Sequence, residues 1–203
     1  IKVIVMTKYK VIVFDVDGTL LPFGVQDLSP RMVEMFEKLK ANGYINVLCS
    51  GRDIFTIGKQ IDNPYVDYFV GANGTFILDL KTKEYVFEKT IKYDDFKKFH
   101  QFAIKNKLPF SFVGDKWGYY NELFNIDHWF YKPFKKNFIS VDEFEKQNDK
   151  NYLITISTKE PHELALKLTD FFIKEKLDLW VLAEWNGGVF ISAKGITKAT
   201  SLE

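Results

Sequence analysis

The sequence holds a single cysteine, Cys49, so no internal disulfide can form and a reducing compartment fits best. It has almost no net charge: 28 basic against 27 acidic residues leave +1, too little for the broad field that would imply a nucleic-acid partner. No apolar run approaches the roughly 20 residues of a membrane-spanning helix. The opening IKVIVMTKYK has a short apolar run but no cleavage-site pattern. Internal repeats and low-complexity segments are also lacking. These absences predict a soluble, cytoplasmic protein with no membrane partner. Met6 suits an initiator, with Ile1–Val5 either an upstream remnant or a short edge strand.

What is present is a globular chain of 203 residues, 46% apolar and 27% charged, enough for one sizeable domain or for a core with a smaller insert. Aromatics reach 17%, mostly phenylalanine, which biased genome composition explains as well as a binding surface does.

The run KVIVF, 10–14, has the length and continuity of a strand buried on both faces. Ser29 and Pro30 mark the N-cap and first turn of a helix whose apolar stripe is Met32, Val33, Phe36 and Leu39, with Gly43 closing it. INVLCS, 45–50, predicts a second strand, 53–61 a helix, and DYFVG, 67–71, a third strand. Strand alternating with helix in this way predicts a parallel, doubly wound α/β sheet. After Gly74 the pattern changes to a hairpin (FILDL, KTK, EYVFEKT), a helix with Phe96, Phe99 and Phe102, strands at FSFVG and GYYNELF, and a polar stretch with a short helix over 131–150. YLITIST, a helix from Pro161 to about Lys176, DLWVLAE and GVFISA follow. The expected organisation is a Rossmann-like core of 1–80 and 185–203 carrying an inserted α+β unit over 81–184.

The chemistry concentrates in FDVDGTLL, 14–21, at the end of the first strand. Ligands of parallel α/β sheets bind beyond the carboxyl ends of the strands. In extended backbone, Asp15 and Asp17 project to the same face and can converge on one ligand. Gly18 permits a sharp turn, and the Thr19 hydroxyl can tie it together. Two carboxylates this close call for a cation, and oxygen-only donors favour Mg²⁺ over zinc. Such a pair suits phosphoryl transfer, one carboxylate attacking phosphorus and the other moving the proton. Cys49 does not suit a cysteine-based phosphatase, which needs an arginine six positions on, where this chain has Phe55.

DVDGTLL resembles the first motif of the haloacid dehalogenase superfamily in its phosphatase form, and the match extends along the chain. That resemblance implies Asp15 as nucleophile and Asp17 as general acid/base, both contributing to an Mg²⁺ site. An aspartate at position 17 favours a phosphatase or phosphomutase over a dehalogenase or transport ATPase. Ser50, in VLCSGR, stands where the second motif places a phosphate-binding hydroxyl, followed by Gly51 and Arg52. KGITKATSL is similar to the KGxSKGxAL segment of the Cof-type subgroup, which makes Lys198 the phosphate-neutralising lysine, with Lys194 the second candidate. ANGT, 72–75, is similar to the Cof-type NGA segment and would set Asn73 and Gly74 beside substrate; an ordinary Asn-Gly hairpin turn reads equally well. Gly18 joins them as a candidate phosphate contact. The inserted unit has the place of a Cof-type cap, where Trp117, Tyr119, Tyr120 and Trp185 either line the substrate face or form its core, core being favoured.

One motif of the family pattern has no counterpart. An acidic GDxxND-like segment is expected beyond the lysine, and the only Gly-Asp, in Gly114-Asp115-Lys116-Trp117, lies inside the inserted unit as a decoy. Of a shortened chain, a gene fragment and a divergent protein, the intact order of the other motifs favours the first. These 203 residues alone are then expected to hydrolyse weakly or not at all, and the first strand to lie at an exposed edge. The reading is a Mg²⁺-dependent phosphatase acting on a small phosphate ester, a sugar phosphate foremost, with a phosphosugar mutase or a non-turning-over phosphate-binding protein as alternatives.

Overall fold

A computed structural model of the chain describes residues 9–22 and 24–203. The alternatives for Met6 and Ile1–Val5 lie outside the described residues. Strands β1 (Val11–Asp15), β2 (Ile45–Cys49), β3 (Tyr68–Gly71), β4 (Phe76–Asp79) and β5 (Tyr85–Glu88) form the first sheet in sequence order. β1, β2 and β3 run parallel, while β4 and β5 return antiparallel. Helix α1 (Pro30–Ala41) starts where the sequence predicts: the Ser29 hydroxyl accepts from the Met32 N–H at 3.3 Å, and Pro30 needs no partner at the first turn. Its Phe36 meets Phe14 edge-to-face at 5.1 Å between centroids, which seats the helix on one face of β1.

The expected helix over 53–61 is not an α-helix. The Asp53 carboxylate draws 53–56 into a capped turn, accepting from the N–H groups of Phe55 and Thr56. Gly58 then takes φ +72, which interrupts α-helical geometry, and Gly58–Asp62 winds as a short 3₁₀ turn. β1 is also not buried on both faces. Among the described residues it is the edge of its sheet, as expected from the unmatched acidic motif, with Val11 and Val13 49% and 41% exposed. A continuous apolar run does not tell an edge from a centre.

A second sheet has the order β10 (Leu179–Trp185), β11 (Gly188–Ala193), β9 (Leu153–Ser157), β6 (Phe110–Val113), β7 (Gly118–Tyr120), β8 (Phe138–Ser140), antiparallel except for β7 with β8. The three-residue β8 falls within the stretch expected as loop with a short helix; that helix is α3 (Phe144–Gln147). Helices α2 (Tyr93–Lys105) and α4 (Pro161–Lys174) pack on the sheet through Phe96, Phe99, Leu168 and Phe172. Tyr119 is fully buried among them and Trp117 packs against them, whereas Trp185 is exposed and stacks on Phe190.

The sheets divide the chain at other points than 80/81 and 184/185. The hairpin register Ile77↔Phe87 holds β5 in the first sheet, and Val189↔Ile156 holds β11 in the second. The second sheet also leans on the first: Phe138, Tyr152 and Leu153 join the apolar cluster of Phe36, Leu48 and Phe69. The Gly114–Trp117 segment is a turn clasped by Asp149, which accepts the N–H groups of residues 115, 116 and 117 and the Tyr119 hydroxyl. Among the described residues, no helix is long and apolar enough to cross a membrane.

Candidate active site

The site gathers where β1, β2 and β3 end. Asp15 is the last residue of β1, paired in register with Cys49, and Ser50 follows directly. Past Asp15 the chain turns: the N–H groups of Thr19, Leu20 and Leu21 all point to the Val16 carbonyl, and the Thr19 hydroxyl donates to Asp15 Oδ2 at 3.3 Å. Lys198, 183 residues away in sequence, places Nζ 2.5 Å from Asp15 Oδ1. Asp15 is 44% exposed at its side chain, so this charge-assisted bond lies open to an incoming ligand.

Asp17 takes a different partner. Arg52 grips its carboxylate with Nε at 3.0 and 3.2 Å and Nη2 at 2.7 Å, a forked contact that fixes direction as well as distance. The Arg52 side chain is only 6% exposed, against 42% for Asp17. Its burial is compensated all round: Nη1 donates to Gln26 Oε1 and to the Thr56 carbonyl, each at 3.2 Å, and the Phe130 ring lies 5.5 Å away. Phe130 comes from the second-sheet side of the chain. No local sequence signal marks it, nor Gln26, as an Arg52 partner.

Ser50 is buried, and its hydroxyl accepts the Arg52 N–H at 3.1 Å; no other bond commits its proton among the described residues. Neighbouring Cys49 is inert at neutral pH, burial pushing its thiol up to about 11 despite the Lys198 charge nearby. Asp53 is also raised, by burial above all, against the lowering effect of the Thr56 hydroxyl and the backbone N–H groups it caps. It is a cap rather than a reacting group. Tyr131, pushed up to about 12 by burial and then by Asp53, stays neutral beside it.

The turn 72–75 closes the β3–β4 hairpin, and Ala72, Asn73 and Gly74 all have positive φ (48°, 59° and 99°). It is hydrogen-bonded to the Ser50 loop: Ala72 N–H to the Arg52 carbonyl at 2.8 Å and Asn73 N–H to the Ser50 carbonyl at 3.0 Å. Asn73 Nδ2 is buried without a partner among the described residues. Of the two candidate lysines, only Lys198 reaches Asp15. The Lys194 side chain is exposed, and its backbone is tied elsewhere, N–H to Asp178 and carbonyl to Lys89 Nζ.

The residues from 12 to 203 match the family model of haloacid dehalogenase-like hydrolases. The chain belongs to that family. Among curated relatives, a Bacillus subtilis (strain 168) protein provisionally named phosphatase YxeH is 31% identical over 108 residues, 51% of this chain and 40% of its own. The chain thus spans about two-fifths of that relative. A haloacid dehalogenase-like hydrolase structure from Bacteroides thetaiotaomicron superposes with TM-score 0.79 at 20% identity, covering 96% of this chain and 75% of the other. The structure of BT4131, described as a subclass IIB sugar phosphatase, gives 0.72 at 21% identity, covering 95% and 73%. The haloacid dehalogenase-like fold, a parallel-stranded core with an inserted α+β unit, is therefore the fold of this chain.

The site's donor chemistry fits Mg²⁺. The Asp15 carboxylate is half-exposed at the strand end. With both Asp17 carboxylate oxygens taken up by Arg52, the second donor left at this turn is the Asp17 backbone carbonyl. That oxygen pair suits an ion whose remaining shell is phosphate and water. Among the described residues, no cluster of three or more His, Cys, Asp or Glu side chains could hold a metal.

Proposed function

We propose that this chain carries the catalytic site of a phosphomonoesterase acting on a small phosphorylated metabolite, with sugar phosphates the first class to test. The observation carrying this reading is the division of labour between two adjacent acids: Asp15 faces the Lys198 ammonium at 2.5 Å, while Asp17 is held in the fork of Arg52.

In the first half-reaction an Asp15 carboxylate oxygen attacks phosphorus and the ester P–O bond breaks. The departing oxygen takes its proton from Asp17 in the carboxylic-acid form, which Asp17 reaches when the Arg52 fork releases one of its oxygens, leaving alcohol and an aspartyl-phosphate. Water then attacks that phosphorus, gives its proton to Asp17 and releases orthophosphate and the Asp15 carboxylate. Lys198 offsets the charge gathered on the phosphoryl oxygens, and the Ser50 hydroxyl and nearby backbone N–H groups orient them. Arg52 sets which way the Asp17 carboxyl points. Mg²⁺, held by Asp15 and Asp17, would supply further neutralisation of the phosphate's negative charge. The relatives named phosphatases support this chemistry.

The test is orthophosphate release by the purified chain from a panel of phosphorylated sugars, nucleotides and cofactors, with and without Mg²⁺, against Asp15→Asn as background. From this chain alone the expected release is weak, but above that background and dependent on Mg²⁺, without isomerised sugar. Equal release from both proteins would remove Asp15 from the chemistry.

A further inference from the structure

Resemblance assigns Asn73 and Gly74 to the substrate, but their contacts suit a different task. On one side the turn is bonded to the Ser50 loop through the Ala72 and Asn73 N–H groups. The Asn73 amide lies so close to Gly51 that a Cβ built there would stand 3.1 Å from Oδ1. On its other side Gly74 abuts the chain that carries Lys198. A Cβ at Gly74 would press on the Thr197 carbonyl oxygen, 2.6 Å from its carbon and 2.9 Å from the Lys198 nitrogen. Those atoms are backbone, so an added methyl group cannot be met by a side-chain rotation. Gly74 also has φ +99, which glycine tolerates and other residues resist.

The Lys198 segment is also anchored on either side of the lysine, by buried Ile196 and Ser201. Thr197 and Thr200 close a turn reciprocally, the Thr197 N–H donating to Thr200 Oγ1 at 2.9 Å and the Thr200 N–H to Thr197 Oγ1 at 3.0 Å. That turn sets the local direction of Lys198 but not its distance from the sheet. Direct contact with Gly74 meets the backbone at the lysine itself.

We infer that the Asn73–Gly74 turn is a positioning brace: it sets the separation between the Ser50 loop and Lys198, and through Lys198 the ion pair with Asp15. The inference rests on the phosphatase reading, because only there does the Lys198 position bear on turnover.

The experiment is a double-mutant cycle on Gly74→Ala and Lys198→Ala. Its readouts are p-nitrophenyl phosphate hydrolysis and calorimetric affinity for inorganic phosphate, with Tm as the folding control. A displacement of about 1 Å at a catalytic group can cost about 10²-fold. Gly74→Ala is expected to lose that much kcat/KM, and Lys198→Ala at least as much. The double variant should be no worse than Lys198→Ala alone, because the brace has nothing left to position. Losses that multiply, or a Gly74→Ala protein with wild-type kcat/KM and phosphate affinity, would overturn the brace.

Should Gly74→Ala fail to fold, Asn73→Ala, which removes the amide packed on Gly51 at the other side of the brace, is read in the same cycle. There too the loss must vanish in the Lys198→Ala background, and multiplying losses reject the proposal. If Lys198→Ala itself retains full hydrolysis and phosphate affinity, the lysine's assigned role fails along with its brace. A collapse of Lys198→Ala with Gly74→Ala unaffected removes the brace alone. A wild-type chain that does not bind phosphate takes both readings down.

Discussion

The two sheets of this molecule are built to different standards. In the second, Phe110–Val113 is buried along its whole length, and the Leu153–Ser157 and Gly188–Ala193 strands beside it are nearly so, with an aromatic cluster filling the space beneath helices α2 and α4. In the first, the edge strand leaves Val11 and Val13 in solvent, and two non-glycine residues of the β3–β4 turn take left-handed backbone. Such residues cost of order 1–3 kcal/mol each and persist only where their surroundings hold them. Every candidate catalytic group lies at or against the looser sheet. Left-handed non-glycine residues also occur on the second-sheet side, at Lys107, Asn148 and Lys176, so the difference that teaches most is one of charge. The second sheet contributes dry apolar area, and the half-exposed acids gather at the strand ends of the first.

The largest expected effect sharpens that contrast. Phe112 is buried and stacks on Tyr119 at 4.7 Å, with Phe96 at 4.7 Å and Phe144 at 4.8 Å around it. Phe112→Ala removes one member of a four-ring cluster that cannot fully collapse, so it should cost about 3–5 kcal/mol in denaturant unfolding. A loss under about 1 kcal/mol would mean that the second sheet is not where stability is concentrated.

How much of this was legible follows the same division. Local signals found what local physics decides: the Ser29-Pro30 start, the β2 and β3 runs, the helix of phenylalanines, and the strand-end acids, of which Asp15 meets Lys198 and Asp17 meets Arg52. They failed where one residue or a distant neighbour decides. Gly58 undid a helix that the apolar spacing favoured, and β8 hid because three residues amid lysines carry no periodicity. The pairing of Arg52 with Asp17, its seat under Phe130 and its bond to Gln26 join positions 35, 78 and 26 residues apart, which no short motif encodes.

An intermediate effect tests the second sheet's dryness by pH. His100 is half-buried, stacked on Phe96 at 5.7 Å with Phe110 at its edge, and burial holds its pKa below the usual 6.5 although Asp142 and Glu145 pull the other way. In the window below that value the unfolded chain binds a proton that the folded chain resists. Stability therefore falls as pH drops from neutrality through about 6.5 toward the folded-state pKa. Unfolding measured between about pH 5 and 7 should show that slope, and His100→Gln should flatten it. An unchanged slope in the variant would place His100 in water, outside the apolar cluster.

The smallest effect belongs to the exposed face of β1. Val13 stands 41% exposed on the edge strand, and among the described residues its backbone pairs with Val47 of β2 alone. Val13→Thr keeps the β-branch that suits extended backbone and gives a polar group to water rather than to a core. Its cost should stay within about 0.5 kcal/mol, the range of ordinary surface substitutions. The comparison with Phe112→Ala is the point of measuring it: both sites are apolar residues in strands of the same chain, and only burial separates them. A Val13→Thr loss of 2 kcal/mol or more, with Tm falling as for a core substitution, would show that this face is packed in solution. The first sheet would then be no looser than the second.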